Sequence, residues 1–284
     1  MNLEQILADF RRDEMFMSRV ARWEVIPPRA ARYADFPDHL DPRLPAALQK
    51  RGVRAIYTHQ RQAIDAIARG EDVVVVTPTA SGKTMCYNLP VLDAVLKDSN
   101  ARALYLFPTK ALSADQVTEL YDLVTLLDAD IKAFTYDGDT AVNARKAVRQ
   151  AGHIVVTNPD MLHSGVLPLH TKWIKLFENL KYIVIDEVHT YRGVFGSHLA
   201  NVLRRLDRIC AFYGTRPQYI CCSATIANPA ELAETITGRK MTLIDDNGAP
   251  SGERNFIFYN PPVVNKQLGL RESVVFQTRK LAAR

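Results

Sequence analysis

Five short runs of β-branched and aromatic residues punctuate the chain: DVVVVT (72–77), ALYLF (103–107), HIVVT (153–157), KYIVID (181–186) and QYICCSAT (218–225). They alternate with segments of helical spacing, and such alternation implies an α/β fold, a mostly parallel sheet with helices on both faces. In open sheets of this kind ligands sit beyond the carboxyl ends of the strands, so the loops after these runs should carry the chemistry. The chain can fill that architecture. It has 284 residues, 47% hydrophobic and 24% charged, an ordinary globular composition with a substantial core. A net charge of +5 with a pI near 9.0 leans modestly toward a polyanionic partner, because 36 basic residues face 31 acidic ones. Cys86, Cys210, Cys221 and Cys222 lack the spacing of a zinc or redox site and are expected as buried, reduced thiols. No stretch approaches 18 apolar residues and MNLEQILADFRRDE has no secretory core, so no membrane partner and a cytoplasmic, nucleoid-associated location are expected.

Residues 1–53 read as a small N-terminal helical and proline-rich extension. A helical stripe of Leu3, Ile6, Leu7 and Phe10 gives way to Pro27, Pro28, Pro37, Pro42 and Pro45. Residues 54–258 hold the alternating pattern. Asn260-Pro261-Pro262 breaks it, and 259–284 reads as a linker and the start of another domain. Its last helical segment, roughly 271–284, has Val274, Val275, Thr278 and Leu281 at helix spacing but no following strand to pack against.

The strand ends carry a consistent set of parts. After VVVV comes TPTASGKT (77–84), close to the pattern G-x-x-x-x-G-K-[ST], with Thr77 at the first glycine position and Gly82-Lys83-Thr84 intact. Strand, tight loop and helix is the context in which such a loop cradles phosphates. After KYIVI come Asp186-Glu187-Val188-His189, an acidic pair ending a strand whose apolar residues imply burial. An unpaired carboxylate there is costly, and a magnesium ion would relieve it. After QYICC come Ser223-Ala224-Thr225. Upstream, Tyr57-Thr58-His59-Gln60 precedes a helix, and a glutamine amide can pair with adenine. Taken singly, the competing readings are an ordinary polar strand-to-helix turn for the loop, an acidic surface turn for the Asp-Glu pair, against which the preceding apolar run tells, and a solvated helix start for Gln60.

In this order the parts resemble the first RecA-like P-loop domain of a superfamily 2 helicase of the DEAD/DEAH-box type, over roughly residues 53–245. The resemblance implies ATP and Mg2+ as cofactors. It makes Gln60 the adenine-reading glutamine and Thr79, Ala80, Ser81 and Gly82 the phosphate loop. Lys83 falls on the outer phosphates, Thr84 and Asp186 on the metal, and Glu187 on the attacking water. His189, Ser223 and Thr225 take the coupling role. Thr77 and Ala80, where many relatives have alanine and glycine, are small departures the loop should survive. PTKALSADQ (108–116) and TNPDMLH (157–163) resemble the nucleic-acid motifs, which makes Thr109, Lys110, Thr157 and Asn158 candidate phosphate contacts.

YDGDT (136–140) and HTYRGVFGSHLANVLRRLDRI (189–209) resemble the MrfA-type helicases, DNA-directed 3′-to-5′ enzymes associated with repair, whose longer members carry a cysteine-rich zinc domain. Within the second segment Leu199, Val202, Leu203, Leu206 and Ile209 form a core stripe, with Asn201, Arg204, Arg205 and Arg208 facing elsewhere. The implied partner is single-stranded DNA ahead of RNA, and a monomer is expected. No Q-x-x-G-R-x-G-R pattern follows Thr225, so the expectation is the N-terminal motor half of a longer helicase, poorly active by itself. An RNA helicase, a double-strand translocase and a non-catalytic nucleic-acid-binding scaffold stay open as alternatives. Intact Lys83, Asp186 and Glu187 argue against the scaffold.

Overall fold

The computed structural model describes residues 2–283. It divides into two compact units, Ala31–Ala249 and Met1–Ala30 with Pro250–Arg284. The strands in chain order are β1 (Val20–Ile26), β2 (Tyr33–Ala34), β3 (Ile56–Tyr57), β4 (Val73–Val76), β5 (Arg102–Leu106), β6 (Ala133–Thr135), β7 (Ile154–Thr157), β8 (Leu180–Ile185), β9 (Gln218–Ser223), β10 (Thr242–Ile244), β11 (Arg254–Tyr259), β12 (Val263–Asn265) and β13 (Leu270–Arg271).

In the larger unit seven strands form one parallel sheet in the order β10-β4-β9-β8-β5-β7-β6. The five apolar runs of the sequence are its interior strands. The edge strands β6 and β10 escape a sequence reading because AFT and TLI, three residues each, are too short to show a period. Successive strand residues point to opposite faces, and this splits each run between two cores. Val73, Val75, Tyr105, Val156, Val184 and Cys222 pack under helices Thr58–Ala68, Lys83–Lys97 and Lys110–Leu127. Val74, Val76, Leu104, Leu106, Ile183 and Cys221 face helices Gly193–Phe212 and Pro229–Thr237. The adjacent Cys221 and Cys222 thus lie on opposite sides of the sheet. All four thiols are free and buried, and burial pushes Cys86 and Cys210 up to about 12, so they are inert near neutral pH.

Residues 31–53 belong to this unit rather than to an extension. Helix Arg43–Lys50 buries Leu44, Ala47 and Leu48 in the first core, and β2 pairs antiparallel with β3, setting Tyr33 opposite Tyr57. Gly248 seats that pair: a Cβ there would lie 2.3 Å from Thr58 Oγ1 and 2.9 Å from the Arg32 carbonyl oxygen, so only glycine fits.

The smaller unit joins both ends of the chain through an antiparallel ribbon of β1 and β11. Trp23 Nε1 donates to Asn255 Oδ1 (2.8 Å), and Phe16 stacks between Phe10 and Tyr259. The expected first helix is present as Leu3–Arg12, capped by Asn2 with Gln5 reaching back. The expected boundaries near 53 and 258 therefore differ from the observed 30 and 249, because the partner of β1 lies far away in sequence and leaves no local signal. Helix Val274–Ala282 exists too, but Val274, Val275 and Thr278 of its expected stripe are exposed and Leu281 is half-buried, so no core stripe forms there among the described residues.

Candidate active site

Strand β4 runs out at Val76 and the chain turns through Thr77–Gly82 into helix Lys83–Lys97. Thr77 Oγ1 and Ser81 Oγ, both buried, lie 2.6 Å apart and close the loop across its first position, which is how threonine replaces glycine there. Lys83 Nζ donates to the carbonyl oxygens of Thr77 (2.8 Å) and Pro78 (3.1 Å). Thr79 and Ala80 are exposed, and Thr84 is half-buried on the first helical turn. Gly82 has φ +78°, and a Cβ on it would stand 2.6 Å from Gln60 Nε2, so conformation and space both require glycine. Ala80 has φ +60° without that freedom, a strain of roughly 1–2 kcal/mol held by the surrounding loop.

Gln60 is 5% exposed and its amide is engaged by the chain itself. Oε1 accepts from the Tyr57 N–H (2.8 Å) and Nε2 donates to the Gly82 carbonyl (2.8 Å), which ties helix Thr58–Ala68 to the phosphate loop. Beside it opens a cavity of about 620 Å³ whose lining includes Tyr33, Val53, Ile56, Tyr57, Gly82, Thr84 and Met85. Tyr33 and Tyr57 stack with centroids 5.4 Å apart. Neither tyrosine is given a role by the sequence motifs. Tyr57 borders Gln60 and could have been; Tyr33 arrives only through the β2–β3 pairing.

Strand β8 ends at Ile185 and is followed by Asp186, 9% exposed. Its Oδ1 accepts from the Glu187 N–H (2.8 Å), and the Tyr87 hydroxyl lies 3.3 Å from its Oδ2. Burial, joined by the Glu187 charge, raises this carboxyl from 3.8 to about 6, against the opposing pull of the Glu187 N–H and the Lys83 ammonium. Burial likewise holds the Tyr87 phenol well above its ordinary value. Glu187 sits at φ +53°, unusual for a residue with a side chain, and its carboxylate meets His189 Nδ1 at 3.1 Å. The Ala224 N–H also reaches that nitrogen, at 3.2 Å. One nitrogen cannot donate to Glu187 and accept from Ala224 at once, so the two contacts are alternatives set by the ring tautomer. Ser223 is buried and donates to the Ala224 carbonyl (2.8 Å); Thr225 is exposed.

These groups meet because β9 lies between β4 and β8, with Val76 beside Ser223 and Ile185 beside Cys221. Parallel pairing puts all three carboxyl ends on one edge. The 77–84 loop, a buried carboxylate and a half-buried glutamate converge there, and Asp186 and Thr84 are the residues that could hold a cation. Among the described residues no cluster of three or more His, Cys, Asp or Glu could hold a metal, so such a cation needs oxygens from a bound phosphate and water.

The other predicted contacts lie at the ends of β5 and β7. Thr109 caps helix Lys110–Leu127, and Lys110 pairs with Asp139 of the YDGDT turn. Asn158 caps helix Pro159–Met161, accepting from the Met161 N–H (2.8 Å). Thr157 corrects its expectation: its side chain is 1% exposed and donates to the Tyr136 carbonyl (2.6 Å), so it has no hydroxyl to offer a ligand. The stripe on helix Gly193–Phe212 is buried at Leu199, Val202, Leu203 and Leu206 as its spacing predicts, and Arg205 bonds the His163 carbonyl instead of facing solvent alone.

The sequence profile of the DEAD/DEAH box helicase family matches residues 57–232. The chain is 58% identical over 281 residues to the ATP-dependent helicase YprA of Bacillus subtilis, covering 99% of this chain and 37% of YprA. It is 34% identical over 284 residues to the ATP-dependent helicase HRQ1 of Saccharomyces cerevisiae, covering 98% of this chain and 26% of HRQ1. The crystal structure of the DUF1998 helicase MrfA bound to DNA and AMPPNP superposes with a TM-score of 0.94 at 57% identity, over 99% of this chain and 39% of that one. The DEAD-box helicase Mss116 bound to ssRNA and UDP-BeF, at 22% identity and a TM-score of 0.63 over 73% of this chain and 44% of its own, shares the fold alone. The chain thus spans well under half the length of the curated relatives it matches.

Proposed function

This chain belongs to the DEAD/DEAH box helicase family, and from that premise we propose that it is the ATP- and Mg2+-binding part of a DNA helicase that tracks single-stranded DNA. The observation that carries the reading is the buried Asp186 carboxyl, raised to about 6, at the strand end two positions from the Thr77–Lys83 loop. A carboxylate held there at neutral pH calls for a cation, and the loop and helix beside it favour an anion. Mg2+ with ATP would supply both charges and the transferable phosphoryl group.

The chain's own residues do the rest. Lys83 holds two donors on loop carbonyls and keeps a third for the outer phosphates. Asp186 and Thr84 would hold the cation, and Glu187, half-buried and next in sequence, would orient water and take its proton. Tyr33 and Tyr57 offer an aromatic wall for a base beside Gln60. Thr109, Lys110 and Asn158 contact phosphates of the strand, with little base selectivity. DNA is favoured over RNA because MrfA, at 57% identity, was crystallised on DNA. The 3′-to-5′ polarity, the role in repair and the nucleoid location follow the MrfA-type resemblance. The test is a titration with a fluorescent ATP analogue in Mg2+. Lys83→Ala should weaken binding at least about tenfold, the loss of one charge-assisted contact; equal affinity for both proteins defeats the proposal.

A further inference from the structure

We infer that the smaller unit carries a phosphate site of its own, a pocket lined by Arg19 and Arg271 that takes a phosphodiester of a nucleic-acid strand. This rests on the strand-binding reading above. The unit lies outside residues 57–232, the part matched by the helicase family. Residues 1–30 and 250–284 hold 11 Lys and Arg against 7 Asp and Glu, so +4 of the chain's net +5 falls on this unit. Such an excess favours a polyanion.

The pocket forms where regular structure is interrupted. A bulge in β1 leaves Ala21 without a cross-strand partner, since Val20 faces Tyr259 and Arg22 faces Phe258. Asn260-Pro261-Pro262 ends β11, and the β12–β13 pair sets Arg271 opposite Val263. The resulting cavity of about 370 Å³ has Arg19, Ala21, Asn260 and Arg271 in its lining, and among the described residues none that lines it is acidic. Arg19 Nη1 donates to the Tyr259 hydroxyl (3.0 Å) and Arg271 Nη1 to the Pro261 carbonyl (2.7 Å), so neutral oxygens hold both guanidiniums in place. A guanidinium has five N–H donors, and each keeps others for a ligand. Backbone oxygens that would repel an anion are already bonded: that of Pro262 accepts from the Glu272 N–H (2.9 Å) and that of Arg19 from the Asn260 N–H (2.8 Å). The Glu272 carboxylate, next to Arg271 in sequence, is taken by Gln277 Nε2. Two guanidinium charges in one concave lining favour an anion, and their planar forks suit phosphate oxygens. The excess charge spread over the unit beyond the pocket, on Lys266, Arg279 and Lys280 among others, favours a strand over a free phosphate ion.

The experiment follows binding of labelled oligothymidylate to the 284-residue chain by fluorescence anisotropy over a salt series. Arg19→Gln and Arg271→Gln should each weaken binding roughly fivefold at low salt and reduce the slope of log affinity against log salt by about one, and the double variant by about two. Arg279→Gln removes the same charge from the same unit outside the pocket and should move the slope by less than about half as much. Arg271 is exposed, so its variant keeps the test open should the half-buried Arg19 prove necessary for folding. Calorimetry with inorganic phosphate distinguishes the two sources of the anion: saturable phosphate binding that both pocket variants abolish, with oligothymidylate binding unchanged, overturns the strand site in favour of a free-ion site. Slopes equal to the parent's in the folded pocket variants, or an equal loss in Arg279→Gln, overturn the pocket and leave strand binding standing. Failure of the parent to bind oligothymidylate overturns both.

Discussion

At the scale of the residue, Asp186 is a carboxyl whose charged form burial disfavours. Its carboxyl rises from 3.8 to about 6 on folding, so the folded chain binds that proton more tightly than the unfolded chain. The resulting stabilisation is complete below pH 3.8 and is lost as pH rises through about 6. At about 1.4 kcal/mol per pH unit, keeping Asp186 ionised at neutral pH costs about 3 kcal/mol. Asp186→Asn should therefore raise the melting temperature at pH 7 in chelator, flatten the fall between pH 4 and 6, and abolish stabilisation by Mg2+ with nucleotide. Thermal melts of both proteins across pH check this; a variant that melts lower than the parent at pH 7 contradicts it. The carboxylate was legible from its place after an apolar strand. Its neighbour Tyr87 was not, because Tyr87 lies 99 residues away on a helix and meets it only in the folded chain.

At the scale of the element, the start of helix Lys110–Leu127 sets a candidate phosphate contact beside a competitor. The motif makes Lys110 a candidate phosphate contact, and the fold brings Asp139 against it from the YDGDT turn. That turn is held by its own bonds: Asp137 Oδ1 accepts from the Asp139 and Thr140 N–H groups, and Arg145 Nε bonds the Thr140 carbonyl (2.9 Å). Asp139 occupies one of the three Lys110 donors and offsets its charge, so it would compete with a phosphate at this lysine. Asp139→Asn should thus tighten binding of single-stranded DNA, while Lys110→Ala should weaken it and reduce the slope of log affinity against log salt by about one. Fluorescence anisotropy over a salt series measures both; an unchanged slope in Lys110→Ala removes this helix from the interface. Thr157 belongs to the same lesson. Its motif is in place, but its position as the last residue of an interior strand buries it.

At the scale of the molecule, the described residues contain one RecA-like sheet. Strand separation needs two bodies that move against each other on the strand, and an arginine brought to the γ-phosphate across a cleft is worth about 10³–10⁵ in rate. The 284-residue chain should therefore bind nucleotide and DNA yet turn over ATP poorly and separate no strands. DNA-stimulated hydrolysis and unwinding by this chain, both lost in Glu187→Gln, would show a complete catalytic unit within it. What the sequence alone determined is the parallel sheet, its five interior strands and the order of motifs at their ends. Those features rest on local composition and short spacings, and apolar strands must be buried wherever they occur. The tertiary structure decided the remainder: the edge strands β6 and β10, the ribbon of β1 with β11, the aromatic wall of Tyr33 and Tyr57, and the meeting of Tyr87 with Asp186. Each of these joins residues distant in the chain, and the contact that selects them exists only once the sheet has brought their strands and helices together.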